Sequence, residues 1–190
     1  MTAPSSFRTP AKRLWISVWF ALSTLIVTWD AGYLLLRPRS MQGGDLFWLW
    51  RPYHLYSKID YLMYRRIGLW AAALAEGDGF PSAQALMNLA ENILNLLYLY
   101  QVHLSPDPST APIAGFAVAT MTFWKTVLYW LQDWLCGWCT TGHNDWSTWI
   151  LLWVFPNGLW LVMPLAITFT LWGDIVAALS FSSVKSIKTF

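Results

Sequence analysis

Charge is scarce in this chain. Twelve Lys and Arg and ten Asp and Glu occur among 190 residues, a net charge of +2 with no basic block. That balance is too weak to hold a nucleic-acid backbone, which needs clustered cations. Cysteine is scarcer still, with two residues, both in the CGWC stretch at 136–139. Two thiols rule out a disulfide-dense secreted scaffold. The chain also lacks a P-loop, a dinucleotide fingerprint, GxSxG and HExxH, so these common nucleotide, hydrolase and zinc-protease chemistries have no motif to rest on. Internal repeats and low-complexity tracts are absent too.

Apolar and aromatic residues fill the space that charge leaves. The chain is 56% hydrophobic and 17% aromatic, with 15 Trp, and its mean hydropathy is +0.41. These values place it in the integral-membrane class. The length allows a single domain, 1–190. The expected fold is all-α and polytopic: a bundle of four transmembrane helices, with a fifth segment that is interfacial or re-entrant.

Four runs have the roughly 20 apolar residues that a crossing needs: about 15–36, 83–101, 113–131 and 146–172. Pro81 and Ser82 mark the entry to the second, and Pro156 and Pro164 are expected to kink the fourth. The first run carries Asp30 and is longer than a signal-peptide core, so it reads as an uncleaved span. Segment 37–82 holds LFWLWRPYHLY and YLMYRRIGLWAAALA, aromatic and basic pieces that read as interfacial cover over one mouth of the bundle. Arg8, Lys12 and Arg13 before the first span, with Lys185 and Lys188 after the last, argue for cytosolic termini. Six basic residues between Arg37 and Arg66 weigh against that orientation.

The charges inside the spans stand out most. Glu91 lies within MNLAENILNLLYLY, and a carboxylate at membrane depth marks a functional site by default. Asn88, Glu91, Asn92 and Asn95 fall three, four and seven residues apart, forming one polar stripe on an apolar helix. Lipid cannot satisfy such a stripe, so it must face other helices or a cavity. Thr122, Lys125, Thr126, Tyr129 and Asp133 form a second stripe, where Lys125 reads first as a counter-ion to a carboxylate. Asp30 in the first span is expected to pair with Glu91, since two carboxyls in a dry site share one proton and leave an acid. Asn157 and Trp160 share a face of the fourth span, where an indole ring can stabilise a cation. Each of these residues also has a plain reading: a headgroup contact for Asp30, a structural hydrogen bond for Glu91, helix packing for Asn157 and Trp160. Asp174 is expected to face water. CGWC resembles a redox dithiol but lacks a βαβ setting, and with His143 it offers three metal ligands and no fourth. No metal and no cofactor are expected, and the two thiols would form a structural disulfide if oxidised.

Several of these motifs, in order, resemble the EXPERA superfamily of sterol-isomerase-like (emopamil-binding) and sigma-two-receptor-like membrane proteins, and a fungal member in particular. LWVFPNGLWLVMPL resembles the isomerase last-helix motif, which would make Asn157 and Trp160 active-site residues. MNLAENILNLLYLY resembles the helix with the family's buried Glu, here Glu91. WDAGYLLLRP resembles the first-helix acidic motif with Asp30, closer to the sigma-two form, and KTVLYWLQDW resembles the third-helix run. Asp60 sits where the sigma-two form has a loop aspartate. One departure is plain: the isomerase has a His one turn before its first-helix acid, and Ile26 stands there.

The resemblance implies an isomerase- or cyclase-like enzyme of the endoplasmic reticulum acting on a sterol or terpenoid lipid. Glu91, Asp30 and Asn157 would be catalytic. Trp160, Asn88, Asn92, Asn95, Lys125, Tyr129 and Asp60 would bind the substrate. The alternative is a binding or trafficking protein for sterols or cationic amphiphiles, with an ionised Asp30 pairing a ligand amine. The expected partners are a small hydrophobic lipid-like ligand, membrane lipids and a second copy of the chain, with no nucleic acid.

Overall fold

A computed structural model describes residues 13–56, 58–60 and 79–187, with side chains up to 180. Among these residues every regular element is a helix. Helix α1 spans Leu14–Leu35, α2 is the single turn Tyr53–Tyr56, α3 spans Phe80–His103, α4 spans Ala111–Leu135, α5 is Trp146–Trp149 and α6 spans Phe155–Ile187. The second aromatic run of the 37–82 segment lies outside the described residues, as do Arg8, Lys12 and Lys188 and the side chain of Lys185.

Local chemistry accounts for the helix starts. Pro81 and Pro112 occupy the first turns of α3 and α4, where the missing N–H has no intrahelical partner to lose. Asp145 caps α5, its carboxylate accepting from the backbone N–H groups of Ser147 and Thr148. The Ser147 hydroxyl also donates to this carboxylate at 2.5 Å, and that bond more than the backbone ones holds the Asp145 carboxyl well below the usual carboxylate range. Pro156 does not break the last span. A π-helical stretch, Ile150–Val154, lies immediately upstream and joins α5 to α6 without interruption, a widening that accommodates the proline.

Three helical stretches are long and apolar enough to cross a bilayer: Leu14–Leu35, Ala111–Leu135 and Trp146–Ser180. Their outward faces carry exposed Leu25, Trp124, Phe155 and Phe169, which is the pattern of a lipid-facing surface. Helix α3 has the length, but Gln84, Asn88, Glu91, Asn92 and Asn95 lower its hydropathy. The closest pairings are α4 with α6, α1 with α3, and α3 with α4.

Buried apolar residues form two clusters. One gathers Ile16, Phe20, Tyr98, Val102, Val118, Ala119, Ile167 and Leu171. The other gathers Ala31, Tyr33, Trp50, Tyr53, Ile59, Ala85, Tyr129 and Trp153. At the first cluster's end, Arg13 meets Asp174 at 2.8 Å and ties α1 to α6. Asp174 therefore pairs with a cation rather than simply facing water.

The described part of the 37–60 segment covers the other end. Trp50 donates its indole N–H to the Trp29 carbonyl at 2.9 Å, and Tyr53 stacks on Tyr33 at 4.7 Å. A Cβ at Gly32 would sit 3.0 Å from the Trp50 ring, so glycine there admits the indole. The α4–α5 loop fastens this cover. Asp133 is fully buried and accepts from the Thr140 N–H and from the Thr140 and Thr141 hydroxyls. Asn144 then donates to the Ile59 carbonyl at 2.9 Å. Cys136 and Cys139 are joined in a disulfide around Gly137, whose φ of +76° suits glycine.

Gly115 sets the approach of α4 to its neighbours, since a Cβ there would lie 2.6 Å from Leu171 and 2.8 Å from Tyr98. Gly115→Val should cost about 1–3 kcal/mol through overpacking. A thermal unfolding midpoint in detergent unchanged from wild type would refute that close packing.

Candidate functional site

Between the two apolar clusters lies a polar layer. Glu91 on α3 and Lys125 on α4 meet there, with Nζ 2.7 Å from Oε2 and side-chain exposures of 5% and 8%. The Thr122 hydroxyl donates to the same carboxylate oxygen at 2.9 Å, and Asn88 accepts from Lys125 through Oδ1. The helical offsets fit this geometry. Asn88 and Glu91 are one turn apart on α3, and Thr122 and Lys125 are one turn apart on α4, so two facing turns deliver four polar groups to one point. The reading of Lys125 as a counter-ion holds.

The expected pairing of Asp30 with Glu91 does not form. Glu91 bonds Lys125 and Thr122, and Asp30 accepts from the Tyr53 hydroxyl at 2.9 Å. A cation was available on the facing turn, and a carboxylate gains far more from an ammonium than from a second acid. Asp30 still shares a space with the pair, because Asp30 and Lys125 both line one cavity.

A cavity of about 360 Å³ opens beside this pair. Asp30, Asn88, Lys125, Tyr129, Asn157 and Trp160 all line it. These six expected site residues come from four helices and converge on one space. Glu91 does not line it but pairs with Lys125, which does. Asn92 and Asn95 do not line it either. Asn92 donates to the Thr28 hydroxyl at 2.9 Å and to the Thr24 carbonyl at 3.3 Å, joining α3 to α1. Asp60 is fully buried outside the cavity, where the Trp153 indole donates to it at 3.3 Å and to the Tyr129 hydroxyl at 3.2 Å.

Other wall residues were not singled out by the sequence: Trp29, Tyr53, Tyr56 and Gln84. Tyr53 and Tyr56 come from the covering segment, whose aromatic richness was the only signal. Asn157 donates to the Tyr56 hydroxyl at 3.0 Å, so the cover bonds both Asp30 and Asn157. Burial, and secondarily the Asp60 carboxylate, pushes the Tyr56 phenol far above its usual value, so it stays protonated at any ordinary pH. Ile26, where the isomerase pattern has a His, also lines the cavity.

No family model, curated protein or solved structure matches this chain. The EXPERA resemblance rests on the motifs quoted above.

The geometry makes Glu91 and Lys125 a unit. Lys125→Met alone leaves a buried carboxylate without its cation and should cost about 3–5 kcal/mol. Lys125→Met combined with Glu91→Gln should cost much less than the two single changes added together. Additive losses in thermal unfolding would mean that the two side chains do not act as a pair.

Proposed function

We propose that this chain is a membrane-embedded isomerase- or cyclase-like enzyme of the EXPERA type, acting on a sterol or terpenoid lipid. The carrying observation is the convergence of Asp30, Lys125, Asn157 and Trp160 on one aromatic-walled cavity between helices. Its volume falls at the small end of the range for sites that bury a lipid- or drug-sized ligand.

In this reading α3 also crosses the bilayer. Its 24 residues reach about 36 Å, it packs against two apolar spans, and its polar stripe is turned inward. The bundle then has four spans and both termini in the cytosol, in the endoplasmic reticulum membrane.

Asp30 is the proton-exchanging group. As the acid it gives its proton to an alkene carbon of the substrate. Trp160 and Trp29, whose rings line the same space, stabilise the cation that forms. The Asp30 carboxylate then takes a proton from a neighbouring carbon, and the double bond has moved with no net change in protons. Tyr53 holds the carboxyl in place, and Asn157 orients the substrate end nearest the cover. Lys125 and Glu91 together add no net charge, so a cationic intermediate is not repelled. Proton transfer of this kind contributes about 10²–10⁴-fold, and water exclusion with fixed dipoles supplies the rest.

A second reading uses the same cavity for binding alone. An ionised Asp30 on an apolar wall is the counter-charge that the amine of a cationic amphiphile needs, and Glu91, engaged by Lys125, is not available as an acid.

One experiment separates the two. Membranes containing the protein are supplied with sterol and terpenoid extracts, and products are followed by mass spectrometry. Conversion that falls about 10²–10⁴-fold in Asp30→Asn supports the enzyme. Conversion unchanged by that substitution removes Asp30 from the chemistry. Saturable binding of a cationic amphiphile with no product at all favours the binding protein.

A further inference from the structure

A second, smaller void lies next to the main cavity, with Trp160 and Val27 on the walls of both. Its volume is about 10 Å³, which excludes any ligand group of ordinary size and matches one water molecule. Glu91, Asn92, Asn95, Ser23 and Thr122 supply its polar wall.

Two acceptors on that wall are left over. Glu91 Oε1 and Asn95 Oδ1 are buried and have no hydrogen-bond partner among the described residues, and the two residues are 3% and 5% exposed. Three of the neighbouring donors are already committed. Thr122 donates to Glu91 Oε2, Ser23 to the Phe20 carbonyl, and Asn92 to Thr24 and Thr28. The indoles of Trp19 and Trp160 pack against each other at 5.3 Å. A bare carboxylate oxygen at this depth is costly, since low dielectric strengthens the demand for a donor. What the site lacks is one small group with two protons to give. A metal cation does not suit it, because Lys125 already neutralises the Glu91 charge and two leftover oxygens fall short of a cation's coordination shell.

We propose that this void is a binding site for a single internal water that donates one proton to Glu91 Oε1 and the other to Asn95 Oδ1. The water completes the carboxylate that holds Lys125, and so sets the position of the ammonium in the main cavity wall. The site is independent of which reaction or ligand the main cavity serves.

The test uses the full chain in lipid nanodiscs. Infrared difference spectra are recorded after exchange from H₂¹⁶O to H₂¹⁸O. The wild type should show an isotope-shifted band from a strongly hydrogen-bonded internal water. Asn95→Leu, which removes one acceptor, and Ala119→Val, which fills the void from its wall, should each abolish it. No such band in the wild type overturns the site and points to a direct amide–carboxylate bond through the other face of Asn95. A band that survives both substitutions places the water elsewhere and also overturns it. Where a variant fails to fold, a high-resolution structure of the wild type decides. Density between the two oxygens supports the proposal, and empty space between them refutes it.

Discussion

The buried ion pair between Glu91 and Lys125 is the interaction around which the interior is arranged. Two charges at membrane depth persist only when each satisfies the other and their remaining valences find partners. Thr122 and Asn88 supply two of those partners from the same two helices. The pair sits between two separate apolar clusters, so α3 and α4 cannot slide past each other without pulling a charge into hydrocarbon. A bundle held only by apolar contact in lipid has no such register, because lipid tails pack against leucine as well as another helix does.

The cavity beside this pair mixes polar and aromatic walls. Lys125, Asn88, Asp30 and Asn157 line it together with Trp29, Tyr53 and Trp160. Tyr53 and Tyr56 come from the cover between α1 and α3, and each bonds a residue of a long apolar helix. The α4–α5 loop, organised by buried Asp133 and closed by the Cys136–Cys139 disulfide, holds that cover in turn. Position in the site therefore passes from a loop outside the bundle, through the covering segment, to Asp30 and Asn157.

Much of this was readable from residue order. Inward-facing stripes follow from the 3.6-residue period, and Glu91, Asn92, Asn95, Thr126, Tyr129 and Asp133 are all buried as those stripes require. The helix start at Pro81 follows from side-chain chemistry within one turn. The disulfide expected of the two thiols if oxidised joins Cys136 to Cys139. The pairing between stripes was not readable. Asp30 and Glu91 invite each other on a list of carboxyls, yet the cation on the facing turn of α4 wins. Asn92 and Asn95 look identical to Asn88 on a helical wheel, but only Asn88 faces the main cavity.

The sequence alone determined the helical character of the described residues, their membrane-length apolar stretches and their inward polar faces, because hydropathy and helical period are properties of neighbouring residues. Only the tertiary structure decided which carboxyl meets Lys125, which aromatic residues of the cover enter the cavity, and that Glu91 and Asp30 stand on different voids. Those outcomes depend on the rotation and depth of each helix against the next. Small turns of a helix axis change them and leave no trace in local residue order.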